Sequence, residues 1–217
     1  MNWPVWGQQV NAWEIRHTLW DKTRQSLWMT QQQWPLLPFF THRGHLTSSD
    51  PAWRAFHDQH LTPQGWVLKM NRGQRGVGVH FLATEDDLLK WCETLWRMGD
   101  QDFLIQPRVA QGPEYRITLL GQEVWAVLER SSDKAIANFA QGGEARELPL
   151  NEWSVGLKRL IDRITAHSVA QVLSLDVLAS AQGLVISDIN TVPGFEQLEA
   201  VTGRNFASDL LKGLLNT

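Results

Sequence analysis

Apolar and polar positions follow two different rhythms along this chain, and the change falls near Trp66. Residues 11–30 contain neither Gly nor Pro and carry Ala12, Ile15, Leu19, Leu27 and several Trp at helical intervals, which predicts a helix. Trp6, Trp13 and Trp20 recur at heptad spacing, and Trp28 extends the row imperfectly. Pro35 and Pro38 stop any helix. Residues 42–65 are mixed, with Gly44, Pro51 and Pro63, and predict one short helix around residues 53–57. From Trp66 onward strands and helices alternate. Residues 66–70 read as a strand, followed by a glycine-rich stretch at 71–79 and a second strand through Leu82. Thr84 is placed to cap a helix whose first turn holds Glu85, Asp86 and Asp87, and that helix should end near Gly99.

Residues 103–106 form a short apolar strand pattern. A hairpin follows, with Tyr115, Ile117 and Leu119 alternating against Arg116 and Thr118, a turn at Gly121-Gln122, and a return over residues 123–130. Residues 131–149 are polar and contain Gly142-Gly143, which reads as a loop. Residues 152–172 read as an amphipathic helix with Leu157, Leu160, Ile161 and Ile164 on one face. Residues 173–180 and 184–190 read as paired strands around Ala181-Gln182-Gly183, and short helices follow Pro193-Gly194. The pattern as a whole is α+β. It divides into a Trp-rich helical segment at 1–65, a small lobe at 66–109 and a larger lobe at 110–217.

Composition narrows the class. With 217 residues, 43% hydrophobic and 20% charged, the chain is globular rather than disordered or fibrous. A net charge of −3 provides no basic excess to draw the whole surface to nucleic acid or an acidic membrane. One cysteine, Cys92, excludes an intrachain disulfide framework. No apolar run approaches the roughly 20 residues of a membrane span. The N-terminus shows no positive stretch followed by an apolar one, so a cytoplasmic location is expected. Tryptophan is unusually abundant, at 12 residues against 8 Phe and 1 Tyr, and most of it precedes residue 67. That much indole must be buried in the chain's own core or against a partner.

Two features carry chemistry. Asp188 and Asn190 stand two apart on a predicted strand and share a face. A three-residue turn at 181–183 would set Asp176 directly opposite Asp188. Two carboxylates and an amide oxygen suit Mg2+; the plainer reading is a pair of acids hydrogen-bonding a neighbouring loop. The second feature is Lys69 with the glycine-rich stretch, where close glycines let backbone N–H groups approach phosphate and Arg72, Arg75 and Lys69 add positive charge. No Gly-Lys-Ser/Thr follows, and a strand rather than a helix comes next, so it is neither a Walker loop nor a dinucleotide fingerprint. An ordinary hairpin whose glycines serve the turn would look the same.

Taken in order, the motifs form a series. It runs through Val67-Leu68-Lys69 with residues 73–79, Leu104-Ile105-Gln106, Glu114-Tyr115-Arg116, Glu129-Arg130, and Asn138 with Gly142-Gly143. Asp176 and the run Asp188-Ile189-Asn190-Thr191-Val192-Pro193-Gly194 complete it. The series resembles the ATP-grasp fold, specifically its RimK-like branch of glutamate-ligase type, from about residue 12 to 203. Asp21-Lys22 and the tail from Gly194-Phe195-Glu196 to Thr202-Gly203 also match that branch.

The resemblance implies two α+β lobes with mainly antiparallel sheets and an ATP cleft between them. Lys22 and Lys69 would contact the α- and β-phosphates, and the loop with Gly73, Gly76 and Gly78 would close over them. Gln106, Pro107, Arg108 and Val109 would face adenine, with Glu114 at the ribose. Asp176, Asp188 and Asn190 would hold Mg2+, or Mn2+ in its place. Arg116 and Arg130, with Asn138 nearby, would steady the γ-phosphate and the acyl phosphate formed from it. The activity implied is an ATP-dependent carboxylate–amine ligase acting on small-molecule or peptide substrates and releasing ADP. The chain departs from the family pattern at Pro107 and Arg108, where Glu and an aromatic are usual, and at Asp188, which stands in place of Glu. Only about twenty residues precede Lys22, where the family carries a further α/β domain.

The rival expectation is a degenerate ATP-grasp module that binds nucleotide without ligating. The row Trp6, Trp13, Trp20 either fills the core or recruits a partner chain or second copy to the surface that the further domain would cover. His42, His45, His57 and His60 form two His-x-x-His pairs, but no cysteine is near and an exposed segment is expected. Cys92 beside Trp91 is expected to be a core residue. No base stands beside a Ser or Cys nucleophile, which leaves hydrolysis without support.

Overall fold

In the strand Trp66–Met70 (β2), Trp66 and Leu68 turn to one face while Val67 and Lys69 turn to the other, and that split organises the first half of the molecule. The computed structural model describes residues 15, 19, 21–72, 78–99, 102–109, 112–131, 144–168, 170–191 and 193–215. Four antiparallel strands make the first sheet, in the order β1-β4-β2-β3: Phe40–Arg43 (β1), β2, Val79–Leu82 (β3) and Asp102–Pro107 (β4). Two helices cover one face. Pro51–His60 (α2) starts at Asp50, whose carboxylate accepts from the N–H groups of Ala52 and Trp53. Glu85–Arg97 (α3) starts at Thr84, whose hydroxyl accepts from the Asp87 N–H, with three acids in the first turn as expected. Between them Leu46, Trp53, Trp66, Leu68, Leu88, Cys92, Phe103 and Ile105 are buried together.

The second sheet has five antiparallel strands in the order β7-β6-β5-β8-β9. These are Glu114–Leu120 (β5), Glu123–Ser131 (β6), Glu144–Glu147 (β7), Val172–Ser180 (β8) and Gly183–Asn190 (β9). Val155–Thr165 (α4) lays Leu157, Leu160, Ile161 and Ile164 on Ile117, Val127, Leu175, Val177 and Ile186. Lys22–Gln31 (α1) adds Met29 to this same core, and Trp34 and Leu19 join it. On the opposite face, Glu196–Thr202 (α5) and Phe206–Leu215 (α6) pack Leu198, Phe206 and Leu210 against Trp125, Ala126, Leu128 and Val172. Of the stretch 1–65, therefore, β1 and α2 pack with the first sheet, while α1 and Trp34 pack with the second.

Three elements differ from the sequence reading. The helix read over 11–30 is interrupted: Ile15 is helical, Leu19 lies in a turn, and a separate helix starts at Lys22, because Asp21 is extended and its carboxylate caps the Arg24 N–H. The row Trp6, Trp13, Trp20 lies outside the described residues. Glu144–Glu147 is a strand rather than part of a loop. It is a polar edge strand, so no apolar alternation announces it; its register sets Arg146 opposite Glu129, and those side chains form an ion pair. The helix read over 152–172 runs only from Val155 to Thr165: the Ser154 hydroxyl caps its start at the Leu157 N–H, and the apolar run from Val172 is the buried strand β8. Gly142-Gly143 lies outside the described residues.

Candidate active site

The polar face of β2 and β4 looks onto β9, and α1 closes the space between them. Lys69 is buried, and its ammonium donates to the backbone carbonyl of Ser187 at 2.8 Å, directly joining the two sheets. Lys22, at the first position of α1, pairs with the Asp188 carboxylate at 2.7 Å. The helix is fixed there by Asn71: its carbonyl accepts from the Lys22 N–H at 3.1 Å and its side chain from the Thr23 N–H at 2.9 Å. Lys22, Ser26, Lys69, Gln106 and Asp188 line one small pocket. Gln106 is buried there, and its Oε1 has no hydrogen-bond partner. Burial lowers the Lys69 amine from 10.5 to about 8; Asp188 pulls it back up and the like charge of Lys22 pushes it further down.

Beside this pocket, strand register gathers a second group. Glu114 is opposite Arg130, and Arg116 is opposite Asp176, so the four side chains share one face of the sheet. Arg116 grips Asp176 with two parallel bonds, Nε to Oδ1 and Nη2 to Oδ2, both at 2.9 Å. Arg130 shares its Nη2 between Asp176 Oδ1, at 2.9 Å, and Glu114 Oε1. Burial alone would raise the Asp176 carboxyl, but the charges of Arg116 and Arg130 outweigh it and hold the group well below the usual carboxylate range. Glu114 moves the other way. Burial pushes it up to about 7, with Arg130 pulling down and the Asp176 charge adding to the rise. Two carboxylates around one shared guanidinium thus separate, one firmly ionised and one near neutrality. Arg116, Arg130, Gly194 and Gln197 line a further cleft, into which α5 delivers its first turn.

Asp176 and Asp188 are register partners as the sequence suggested, but for a different reason. The turn has two residues, with Ser180 paired to Gly183, and a β-bulge between Asp176 and Val177 then inserts Ser187 and restores the expected register. Asn190 is two positions beyond Asp188, opposite Ser174. Among the described residues no group of three His, Cys, Asp or Glu is arranged to hold a metal ion. The set Asp176, Asp188 and Asn190 fits a hard divalent cation by its all-oxygen donors and its register, and both carboxylates now carry cationic side chains instead.

The remaining candidates divide. Gly78 has φ +75°, and a Cβ there would meet Met70 Cβ at 2.8 Å, so glycine is required where the stretch re-enters β3. Gly73, Gly76 and Asn138 lie outside the described residues. Pro107 is opposite Trp66 at the end of β4. The Arg108 N–H donates to Gly65 O at 2.9 Å and its guanidinium lies over Phe81 at 5.1 Å; Val109 follows it in the chain. The histidine segment is not the exposed loop expected of it, because His57 is buried on α2 and stacked on Trp66 with ring centroids 5.3 Å apart. Cys92 is a core residue. Sequence reading missed Ser187, whose role belongs to its carbonyl and leaves no side-chain signal. It missed Gln25 and Ser26 as well, whose place on the pocket side of α1 only packing reveals.

Comparison with known proteins follows the geometry. Residues 44–214 match the family model of the RimK-like ATP-grasp domain. A probable alpha-L-glutamate ligase of Histophilus somni (strain 2336) is 30% identical over 149 residues, which is 67% of this chain and 48% of that protein. Another, from Pasteurella multocida (strain Pm70), is 26% identical over 191 residues, 86% of this chain and 58% of that one. The chain thus spans about half the length of the curated relatives it matches. Among solved structures, D-alanine–D-alanine ligase from Bacillus anthracis complexed with ATP superposes with a TM-score of 0.69 at 16% identity, over 92% of this chain and 66% of that one. The ATP-grasp ligase PsnB complexed with minimal precursor gives 0.66 at 17% identity, over 94% and 62%. These likenesses establish the ATP-grasp fold, with its helices and two antiparallel sheets. None of the described helices is long and apolar enough to cross a membrane.

Proposed function

The chain belongs to the RimK-like ATP-grasp family, and from that premise we propose that it is an ATP-dependent carboxylate–amine ligase. The observation that carries the reading is the convergence of Lys22, Lys69, Gln106 and Asp188 on one pocket between the two sheets, beside the Arg116–Asp176–Arg130 group. The degenerate-module reading is not favoured, since both lysines and both carboxylates stand together.

In this reading Lys22 and Lys69 take the α- and β-phosphates. Gln106 and the backbone of residues 107–109 meet adenine, and Glu114 faces the ribose. Asp176, Asp188 and Asn190 hold Mg2+ or Mn2+, which when bound offsets the charge of the transferring phosphoryl group. The acid's carboxylate oxygen attacks the γ-phosphorus and the bond to ADP breaks; the amine then attacks the acyl carbon, phosphate leaves, and the amine gives up a proton. Arg116 neutralises charge on the phosphoryl oxygens, and Arg130 keeps Asp176 ionised and in place. Preorganised charge of this kind is where phosphoryl transfer gains most of its acceleration. The substrates are small-molecule or peptide carboxylates and amines, met in the cytoplasm.

Calorimetry with MgATP on the wild type and Lys69→Met tests the reading. Replacing a buried amine by an isosteric apolar chain leaves the packing in place, so the expected result is Mg-dependent micromolar binding by the wild type and its loss in the variant. Undiminished ATP binding by Lys69→Met would defeat the assignment.

A further inference from the structure

Both lysines assigned to phosphate are already engaged, and by neighbouring residues of one strand. Lys69 is held by the Ser187 carbonyl, and Lys22 by the Asp188 carboxylate. The Lys22–Asp188 pair joins residues 166 apart in sequence and is well shielded on the lysine side, where the side chain is 11% exposed. Its two members have opposite tasks in the nucleotide site: one to meet an anion, the other to meet a cation. Each therefore stands in the other's place.

We propose that the Lys22–Asp188 ion pair couples metal and nucleotide binding through an exchange of partners. A nucleotide arriving without metal must take Lys22 from Asp188 and leave that carboxylate unpaired in a partly buried site. A metal ion arriving alone must displace Lys22 and leave the ammonium unpaired beside Lys69. Arriving together, each ligand supplies the partner that the other removes, so the cost of opening the pair is met once rather than twice. That is positive coupling in the thermodynamic sense, reciprocal between the two ligands. The inference rests on the nucleotide site proposed above and adds to it a reason why the site answers to the metal–nucleotide complex rather than to either component.

The test is a double-mutant cycle on the full chain, with ADP as the nucleotide probe, in EDTA or with Mg2+, and Mn2+ alone as the metal probe. The wild type, Lys22→Gln, Asp188→Asn and the double variant are compared by calorimetry, with Mn2+ followed by electron paramagnetic resonance. Partner exchange predicts that Asp188→Asn tightens metal-free ADP by about tenfold where Lys22 is present and by less than about twofold where it is Gln, within the usual range of coupling between sites. It also predicts that Lys22→Gln tightens Mn2+ in the absence of nucleotide. If Asp188→Asn tightens metal-free ADP equally in both backgrounds, simple charge repulsion suffices and the proposal is overturned. It is equally overturned if the wild type binds ADP as tightly in EDTA as in Mg2+. No ADP binding by the wild type even with Mg2+ would instead sink the nucleotide-site reading itself, and the coupling with it.

Discussion

Replacing Glu114 by Gln gives a direct measure of how the four-residue charge group is balanced. Glu114 sits on β5 against Arg130, with its side chain 15% exposed, and burial raises its carboxyl from 4.5 to about 7. A carboxyl whose folded value lies above its unfolded one holds its proton more tightly in the native state. Its contribution to stability is therefore full at low pH and drains away as pH climbs from about 4.5 through about 7. At 1.36 kcal/mol per unit, integrating between those two values gives a loss on the order of 2–3 kcal/mol from pH 5 to pH 8. Gln has no proton to lose, so the variant lacks this slope, and groups common to both proteins cancel in the difference. Asp176, held far below the usual range by its arginines, does not titrate in the window. Urea unfolding in EDTA, followed by tryptophan fluorescence at pH 5, 6, 7 and 8, should show the variant gaining on the wild type by about 2–3 kcal/mol across the series. A difference that stays flat, or that turns against the variant at pH 8, would mean that Arg130 keeps Glu114 ionised and that the ion pair outweighs burial.

Two further outcomes follow from packing. Trp53→Ala removes a fully buried indole that contacts Phe40, Phe56, His57 and Trp66 and donates to Glu85 at 2.8 Å, so a loss of about 3–5 kcal/mol is expected in urea unfolding. A loss below about 1 kcal/mol would show that the first sheet's core closes over the gap. Cys92 is the only cysteine; it is buried, and burial pushes its thiol up to about 12. A disulfide exchange reagent at pH 8 should therefore react with one equivalent in urea and with none in the native state over minutes. Prompt native labelling would place α3 away from the core described for it.

What the sequence disclosed depends on how each element is buried. β2, β5 and β6 were legible nearly to the residue because each is a short run rich in apolar and β-branched residues that begins or ends at a glycine turn. β7 was not, since a polar edge strand is held by the ladder and by the Arg146–Glu129 pair, neither of which leaves an apolar period. The end of α4 was misplaced for the converse reason: an apolar run entering a strand buried on both faces looks like more helix. Partners distant in sequence were invisible by their nature, as with Arg116 to Asp176 and Lys22 to Asp188, 60 and 166 residues apart. The Asp176–Asp188 register is the most instructive case. A three-residue turn and a two-residue turn with one bulge put the same two carboxylates face to face, so residue counting alone finds the pairing. Only the bulge also sets Ser187 outside the ladder's register, and it is the Ser187 carbonyl that receives the buried ammonium of Lys69. The irregularity that restores the register thus also provides the contact between the two sheets. A sequence that reached the same register by a longer turn would leave Lys69 buried without that acceptor, a cost that buried ammonium groups do not bear without a partner.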